Sequence, residues 1–278
     1  MNRNLAFLGP IGSYTEQAAL TYDSEATLVP LTSIPAVASA VDSKKASEGI
    51  VPIENSLEGT VTTTLDLLIH ETNLFIRHEL VLPIQHCLLT KPGTKPEDLA
   101  VIYSHPQALA QCRMFLEKRF PNVGIAASLS TSSSVEDMLG SNTQAGAIAN
   151  HRCATLYGAE ILDKGIEDSN SNLTRFIILA PTDHQPTGED KTSICFDFDN
   201  DSPGILHSVL KEFAKRNINL AKIESRPTRQ NLGRYIFVVD LEGHRDNDNV
   251  KEALNAVRAQ VSMFRIFGSY PMHVSSSI

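Results

Sequence analysis

Leu5-Ala6-Phe7-Leu8-Gly9-Pro10-Ile11-Gly12-Ser13-Tyr14-Thr15-Glu16 states the theme on which the first two-thirds of the chain is built. Four apolar residues read as a short buried strand, and Gly9, Pro10 and Gly12 break it. Ser13 and Glu16 have the S-x-x-E spacing of a capping box, which starts a helix at about Ser13. The theme returns three times. Gly49-Ile50-Val51-Pro52-Ile53 runs into Glu54-Asn55-Ser56. Val101-Ile102-Tyr103 runs into Ser104-His105-Pro106-Gln107 and a helix through about Arg119. Ala145-Gly146-Ala147-Ile148-Ala149 runs into Asn150-His151 and another helical stretch. Short apolar strands alternating with helices predict a largely parallel sheet covered on both faces. Ligands of such sheets bind beyond the carboxyl ends of the strands, where this chain places its polar residues.

The pattern breaks between Ala180 and Thr192, where Pro181, Asp183, Pro186, Gly188 and Asp190 read as a linker. Six elements follow: a strand at Ser193–Phe198, an amphipathic helix at Ile205–Arg216, strands at Ile223–Arg226 and Arg234–Leu241, a helix at about Asn247–Val261, and a strand at Phe264–Tyr270. The order βαββαβ is the ferredoxin-like split unit. The expected division is a first domain at 1–181, a linker at 182–191 and a second domain at 192–278.

With 278 residues and 42% apolar content, the chain can build two packed cores. A net charge of −8 and the lack of any basic run argue against a nucleic-acid surface. Cys87, Cys112, Cys153 and Cys195 form no CxxC pair, so zinc and redox-pair readings have no spacing support. They fit buried, reduced positions. No apolar stretch approaches bilayer length and no long signal core precedes Leu5, so a soluble cytoplasmic protein without membrane or nucleic-acid partners is expected.

The polar strand ends each have two readings. Ser13–Glu16 is a well-capped helix start, or a glycine-rich turn that lets an anion reach free N–H groups. His105 is a turn residue more readily than a general base, and Asn55, Ser56 and Asn150 are common turn formers. Thr174-Arg175-Phe176 is sharper, because Arg offers a planar fork for a carboxylate and the adjacent hydroxyl can serve a leaving oxygen. A surface Arg at a strand start is the competing reading.

Taken in order, Gly9-Pro10-x-Gly12-Ser13-Tyr14-Thr15-Glu16-Gln17-Ala18, Val51-Pro52-Ile53-Glu54-Asn55-Ser56, Ser104-His105-Pro106-Gln107, Ser130-Thr131 and Asn172-x-Thr174-Arg175-Phe176 resemble the prephenate dehydratase family. Asp201-Ser202-Pro203-Gly204-Ile205-Leu206-His207 and Glu224-Ser225-Arg226-Pro227 resemble an ACT regulatory domain. The resemblance spans nearly the whole chain. It implies a two-lobed α/β catalytic domain similar to periplasmic binding proteins, followed by the βαββαβ domain.

The implied reaction turns prephenate into phenylpyruvate, carbon dioxide and water, with no cofactor and no metal. Thr174 is implied to assist departure of the ring hydroxyl. Arg175 is assigned the persistent pyruvyl carboxylate, because gripping the departing carboxylate would stabilise the ground state. Asn55, Ser56, Ser13, Thr15 and Thr131 are expected substrate contacts, and Phe176 is core more readily than substrate wall. The ACT resemblance implies feedback by L-phenylalanine at Asp201, Gly204, Ile205, Leu206, Glu224, Ser225, Arg226 and Pro227. It also implies a homodimer or homotetramer, since such domains pair side by side. Two departures stand out. The family often has Ala after its Ser-Thr pair, where this chain has Ser132-Ser133-Ser134. Its Gly-Ala-Leu-Val is Gly204-Ile205-Leu206-His207 here. A non-enzymatic sensor would need Arg175 without Thr174, and an arogenate-using enzyme stays open. No spare segment for a DNA-binding helix-turn-helix or a fused chorismate mutase is expected.

Overall fold

The computed structural model describes residues 3–169, 171–199, 202–228 and 234–273. In chain order the elements are β1 (Asn4–Leu8), α1 (Tyr14–Tyr22), β2 (Thr27–Leu31), α2 (Ile34–Asp42), β3 (Glu48–Asn55), β4 (Gly59–Thr60), α3 (Thr62–Asp66), a π-helical turn (Leu67–Glu71), β5 (Phe75–Pro83), β6 (Cys87–Thr90), a 3-10 turn (Pro96–Asp98) and β7 (Val101–Ser104). Then come α4 (Pro106–Gln111), α5 (Arg113–Arg119), β8 (Gly124–Ala127), α6 (Ser133–Gly140), β9 (Ala145–Ala149), α7 (His151–Tyr157), β10 (Glu160–Lys164), β11 (Leu173–Ala180), β12 (Asp190–Asp197), α8 (Ile205–Ala214), β13 (Leu220–Pro227), β14 (Tyr235–Glu242), α9 (Asp248–Arg258) and β15 (Met263–Pro271). Three sheets result, with strand orders β2-β1-β3-β11-β5 (β4 pairing with β3), β10-β6-β9-β7-β8, and β13-β14-β12-β15. The chain groups into two compact units. One is Met1–Val37, Ile50–Val61 and Val81–Phe176, and the other is Ala38–Gly49, Thr62–Leu80 and Ile177–Ile278.

Within the first unit, the second sheet shows why its strands are nearly all apolar. Leu89, Ala147 and Ala149 face Val135 and Met138 of α6 and Cys153 of α7. Leu88, Ile102 and Ile148 face Ala108 and Leu116 of α4 and α5. Successive residues point to opposite faces, so covering both faces demands apolar residues throughout. The expectation of a largely parallel sheet needs correction. β1 and β2 are parallel, as are β7 with β8 and with β9, but β6 runs antiparallel to β9, and β10 to β6. A strand buried on both faces looks the same in sequence whichever way it runs.

The helix expected to continue through Arg119 is two helices. It breaks at Cys112 (φ −113°, ψ 17°), where the Asp168 carboxylate accepts the N–H groups of Met114 and Phe115. At the first helix start, Ser13 is the N-cap of α1 and its hydroxyl accepts the Glu16 N–H at 3.2 Å. The Glu16 carboxylate accepts the Gly12 N–H at 2.7 Å and two hydrogen bonds from Arg152 on α7, at 2.7 and 2.9 Å. Burial would raise the pKa of this carboxyl, but the bonds from Arg152 and Gly12 outweigh it and hold it below the usual value. Half of the expected capping box thus forms, at Ser13, whereas Glu16 takes the N–H one residue earlier, at Gly12, and ties α1 to α7.

In the second unit, β12–α8–β13–β14–α9–β15 is the expected βαββαβ order. Ile194, Phe196, Val239 and Leu241 pack on Val209 and Phe213 of α8 and on Val250, Leu254 and Val257 of α9. β12 starts at Asp190, inside the expected linker, because the Asp190 carboxylate accepts the N–H groups of Thr187 and Gly188 and closes a turn there. β15 approaches β5 so closely at Gly268 (φ +149°) that an added Cβ would fall on the Ile76 carbonyl oxygen. All four cysteines are free and buried. Burial pushes the thiols of Cys153 and Cys195 up to about 11 and about 12.

Gly268→Ala is expected to lower stability by about 3 kcal/mol or more through this backbone overlap, read as a fall in thermal midpoint. For Glu16 the sign follows from a depressed folded-state pKa. Its contribution is complete above the ordinary carboxylate range and is lost as pH falls through the folded value. Glu16→Gln should therefore cost about 1.5–3 kcal/mol at neutral pH and flatten the acid limb of a stability–pH profile. An unchanged acid limb would show that the pair does not supply it.

Candidate active site

The polar strand ends of the first unit converge. They enclose a cavity of about 350 Å³, within the range of small-molecule sites. The turn after β1 and the first turn of α1 supply Gly9, Pro10, Ser13, Tyr14 and Thr15, β3 supplies Pro52 and Asn55, and α4 with its N-cap supplies His105, Gln107 and, at its last residue, Gln111. The approach to α6 adds Leu129, Ser130 and Thr131, β11 and its entry add Asn172, Thr174 and Phe176, and Ile84 and His86 come from between β5 and β6. No lysine or arginine is among these lining residues.

Six expected substrate residues thus meet: Ser13, Thr15, Asn55, Thr131, Thr174 and Phe176. Phe176 is buried at 1% exposure and also contributes to the wall. The structure places two others elsewhere. Ser56 joins β3 to the entry of β11: its hydroxyl donates to the Ser171 carbonyl at 2.7 Å and accepts the Leu173 N–H at 2.9 Å. Arg175 sits between Thr174 and Phe176 on one strand, so the pleat turns it to the opposite face. There its guanidinium meets Glu54, 3.5 Å away.

Around α6 the serine run caps. Ser133 N–H donates to Ser130 Oγ at 2.9 Å and Ser130 N–H donates to Ser133 Oγ at 2.8 Å, a reciprocal pair at the helix start. Ser132 donates to the Ile11 carbonyl and Ser134 to the Thr131 carbonyl. The hydroxyls of Thr15 and Thr131 make no such bond among the described residues.

Asn55 organises the centre. Its Oδ1 accepts the N–H groups of Leu57 (3.0 Å) and Glu58 (3.2 Å), an Asx turn. Its Nδ2 must then face the other way, donating to Asn172 Oδ1 at 2.8 Å and to Thr174 Oγ1 at 2.9 Å. Thr174 accepts from Asn55, and its own proton has no acceptor among the described residues. Beyond Asn172 the network continues through Gln111 Oε1 (3.1 Å) to His86 Nε2 (2.9 Å) and from His86 Nδ1 to the Tyr14 hydroxyl (3.1 Å). Burial lowers the His86 pKa and raises that of Tyr14, so both are neutral. Sequence reasoning passed over Gln111 and His86. Gln111 stands one helical turn after Gln107, a usable signal. His86 has none, since its partners are distant in sequence.

In the second unit, Gly204 caps α8 with φ +86°, a conformation that favours glycine, and Ile205 and Leu206 open the helix. Leu206 packs on the core of the third sheet. Glu224, Ser225, Arg226 and Pro227 lie on the edge strand β13. Arg226 lies 3.4 Å from Asp66 and 3.7 Å from Glu224. Asp201 falls outside the described residues.

The prephenate dehydratase family model matches residues 5–184 and the ACT domain model residues 200–259. A bifunctional chorismate mutase/prephenate dehydratase of Aquifex aeolicus is 41% identical over 96% of this chain and 73% of its own length. A prephenate dehydratase of Methanocaldococcus jannaschii is 37% identical over 98% of this chain and 99% of its own. The crystal structure of a prephenate dehydratase from Arthrobacter aurescens in complex with L-Phe matches with a TM-score of 0.89 and 35% identity, over 97% of this chain and 90% of that one. With the cavity built from the ordered motifs and a βαββαβ unit following it, the chain belongs to the prephenate dehydratase family and carries a C-terminal ACT domain.

Proposed function

We propose that the cavity binds prephenate and converts it to phenylpyruvate, carbon dioxide and water. The observation that carries this reading is the orientation of Thr174. Asn55 donates to its oxygen and no described residue accepts its proton, which leaves the hydroxyl free to donate to a ligand in the cavity. As the C1–carboxylate bond breaks, its electron pair moves into the ring, the C4–O bond opens, and the leaving oxygen takes up one proton to become water. A neutral Thr is a weak acid, so Thr174 acts by hydrogen bonding to the leaving oxygen in a preorganised site, with the proton balance closed by solvent.

The pyruvyl carboxylate persists through the reaction and calls for steady contacts. Arg175, paired with Glu54 off the cavity lining, serves better to hold β11 beside β3. The N-terminal ends of α1 and α6, with the free hydroxyls of Thr15 and Thr131, meet the carboxylate instead. We assign catalysis to residues 1–181, a connection to 182–191 and regulation by L-phenylalanine to 192–278. The likeness to a relative crystallised with L-Phe supports that assignment. Gly204–Leu206 and Glu224–Pro227 are the proposed effector contacts, in a homodimer or homotetramer formed through the exposed edge strand β13. No described helix is long and apolar enough to cross a membrane, which fits a reaction in the cytoplasm.

Thr174→Ala is expected to lower kcat about 100- to 1,000-fold with little change in KM, in a phenylpyruvate assay near neutral pH against a no-enzyme blank. Near-normal turnover in this variant would remove Thr174 from the mechanism. Arg175→Gln should act through folding stability more than through KM, with KM held within about threefold; a much larger rise would return the carboxylate to Arg175. L-Phenylalanine should change the wild-type rate, and indifference to it would leave the enzyme without the assigned effector.

A further inference from the structure

Gln111 lines the cavity, and the orientation of its amide decides whether it offers donors or an acceptor there. Hydrogen-bond directions settle the question. Asn55 Oδ1 is committed to the N–H groups of Leu57 and Glu58, so its Nδ2 faces Asn172 Oδ1. Asn172 therefore turns its own Nδ2 to Gln111 Oε1, 3.1 Å away. That same oxygen lies 2.9 Å from His86 Nε2. Two acceptors do not pair, so Nε2 carries the imidazole proton and Nδ1 keeps a lone pair that faces the Tyr14 hydroxyl at 3.1 Å, whose single proton also has the Gln85 carbonyl as an acceptor at 2.8 Å. With Oε1 held by two donors, Gln111 turns its NH₂ end elsewhere, and that end has no partner among the described residues.

The backbone enforces the arrangement. His86 N–H donates to the Glu167 carboxylate at 2.8 Å, the His86 carbonyl accepts the Ile166 N–H at 3.2 Å, and the Gln111 carbonyl accepts the Asp168 N–H at 2.7 Å. One short segment, 166–168, clamps both residues. The His86 ring also stands edge-on to Tyr14, with centroids 5.9 Å apart. Its Nε2 is engaged by Gln111 and its Nδ1 is covered by the Tyr14 hydroxyl, so proton exchange with substrate is not its task.

We propose that His86, as the neutral Nε2–H tautomer, is a positioning residue that locks the Gln111 amide with its NH₂ end toward an anionic oxygen of the substrate. The inference rests on the cavity being the prephenate site. Burial, which depresses the His86 pKa, keeps Nδ1 free to accept. Because Gln111 would contact a group that survives the reaction, its orientation affects ground state and transition state alike and appears in KM.

The test compares His86→Asn with His86→Gln. Asn can occupy the Nδ1 position beside Tyr14 but does not reach Gln111, whereas Gln can place an N–H near the Nε2 position. For prephenate, His86→Asn should raise KM about tenfold with kcat within about threefold, and His86→Gln should return KM to within about threefold of wild type. A wild-type KM in His86→Asn, or equal impairment in both variants, overturns the proposal. Long-range ¹H–¹⁵N spectra of the wild-type protein read the tautomer without turnover: a protonated Nε2 supports the proposal, and a protonated Nδ1 overturns it. Absence of wild-type turnover would instead defeat the prephenate reading, while the tautomer result would still stand on its own.

Discussion

The Asx turn at Asn55 is the constraint on which the centre of this molecule depends. Two backbone N–H groups, from Leu57 and Glu58, claim one end of the Asn55 amide. An amide has only two ends, so the other is compelled to donate across to Asn172 and Thr174. The donor and acceptor directions at Asn172, Gln111 and His86 follow from that choice. A network fixed by backbone geometry costs little to hold in place during reaction, which is the condition under which hydrogen bonds serve catalysis well. The turn also explains why a polar residue ends β3: an apolar residue there would cap nothing and orient nothing.

The second organising fact is the pleat of β11. Alternation places Thr174 and Phe176 on the cavity side and Arg175 on the other, where Glu54 meets it. Glu54 and Asn55 are themselves consecutive on β3, so they too face opposite ways. The two strands thus turn one pair to the cavity and join through the other. Ser56 and Leu173 add three hydrogen bonds just beyond, through Ser56 N–H, Ser56 Oγ and Leu173 N–H with their carbonyl and hydroxyl partners.

Much of this is legible in the sequence. The glycine-broken apolar strands foretold a cavity at their carboxyl ends, and S-x-x-E foretold the α1 cap. The alternating second part foretold βαββαβ, because local periodicity and turn chemistry report local structure. What stayed hidden was relational. The direction of β6 is invisible because Cys87–Thr90 is buried on both faces whichever way it runs. The break at Cys112 depends on Asp168, far along the chain. The sequence presents Arg175 as a cation beside a hydroxyl because the tripeptide shows adjacency, whereas a strand converts adjacency into opposition. Alternation alone would have raised that objection. Gln111 and His86 escaped because their meaning lies in partners that sequence does not bring together.

The charge economy of the cavity then fits the reaction proposed for it. Prephenate is a dianion that becomes a monoanion as carbon dioxide leaves, so a site rich in guanidinium groups would favour the starting charge over the dispersing one. With no lysine or arginine among the described lining residues, the attraction in the proposed reaction comes from helix termini and neutral donors, which are weaker and more diffuse. Such a field can hold the carboxylate that persists without clamping the one that departs. In the proposed reaction, strong directional contact is reserved for the leaving oxygen, at Thr174, where new bonding develops only as the ring aromatises. Differential binding of this kind raises kcat, where uniform binding lowers only KM. On this view, keeping Arg175 behind the strand is part of how the site avoids overbinding its substrate.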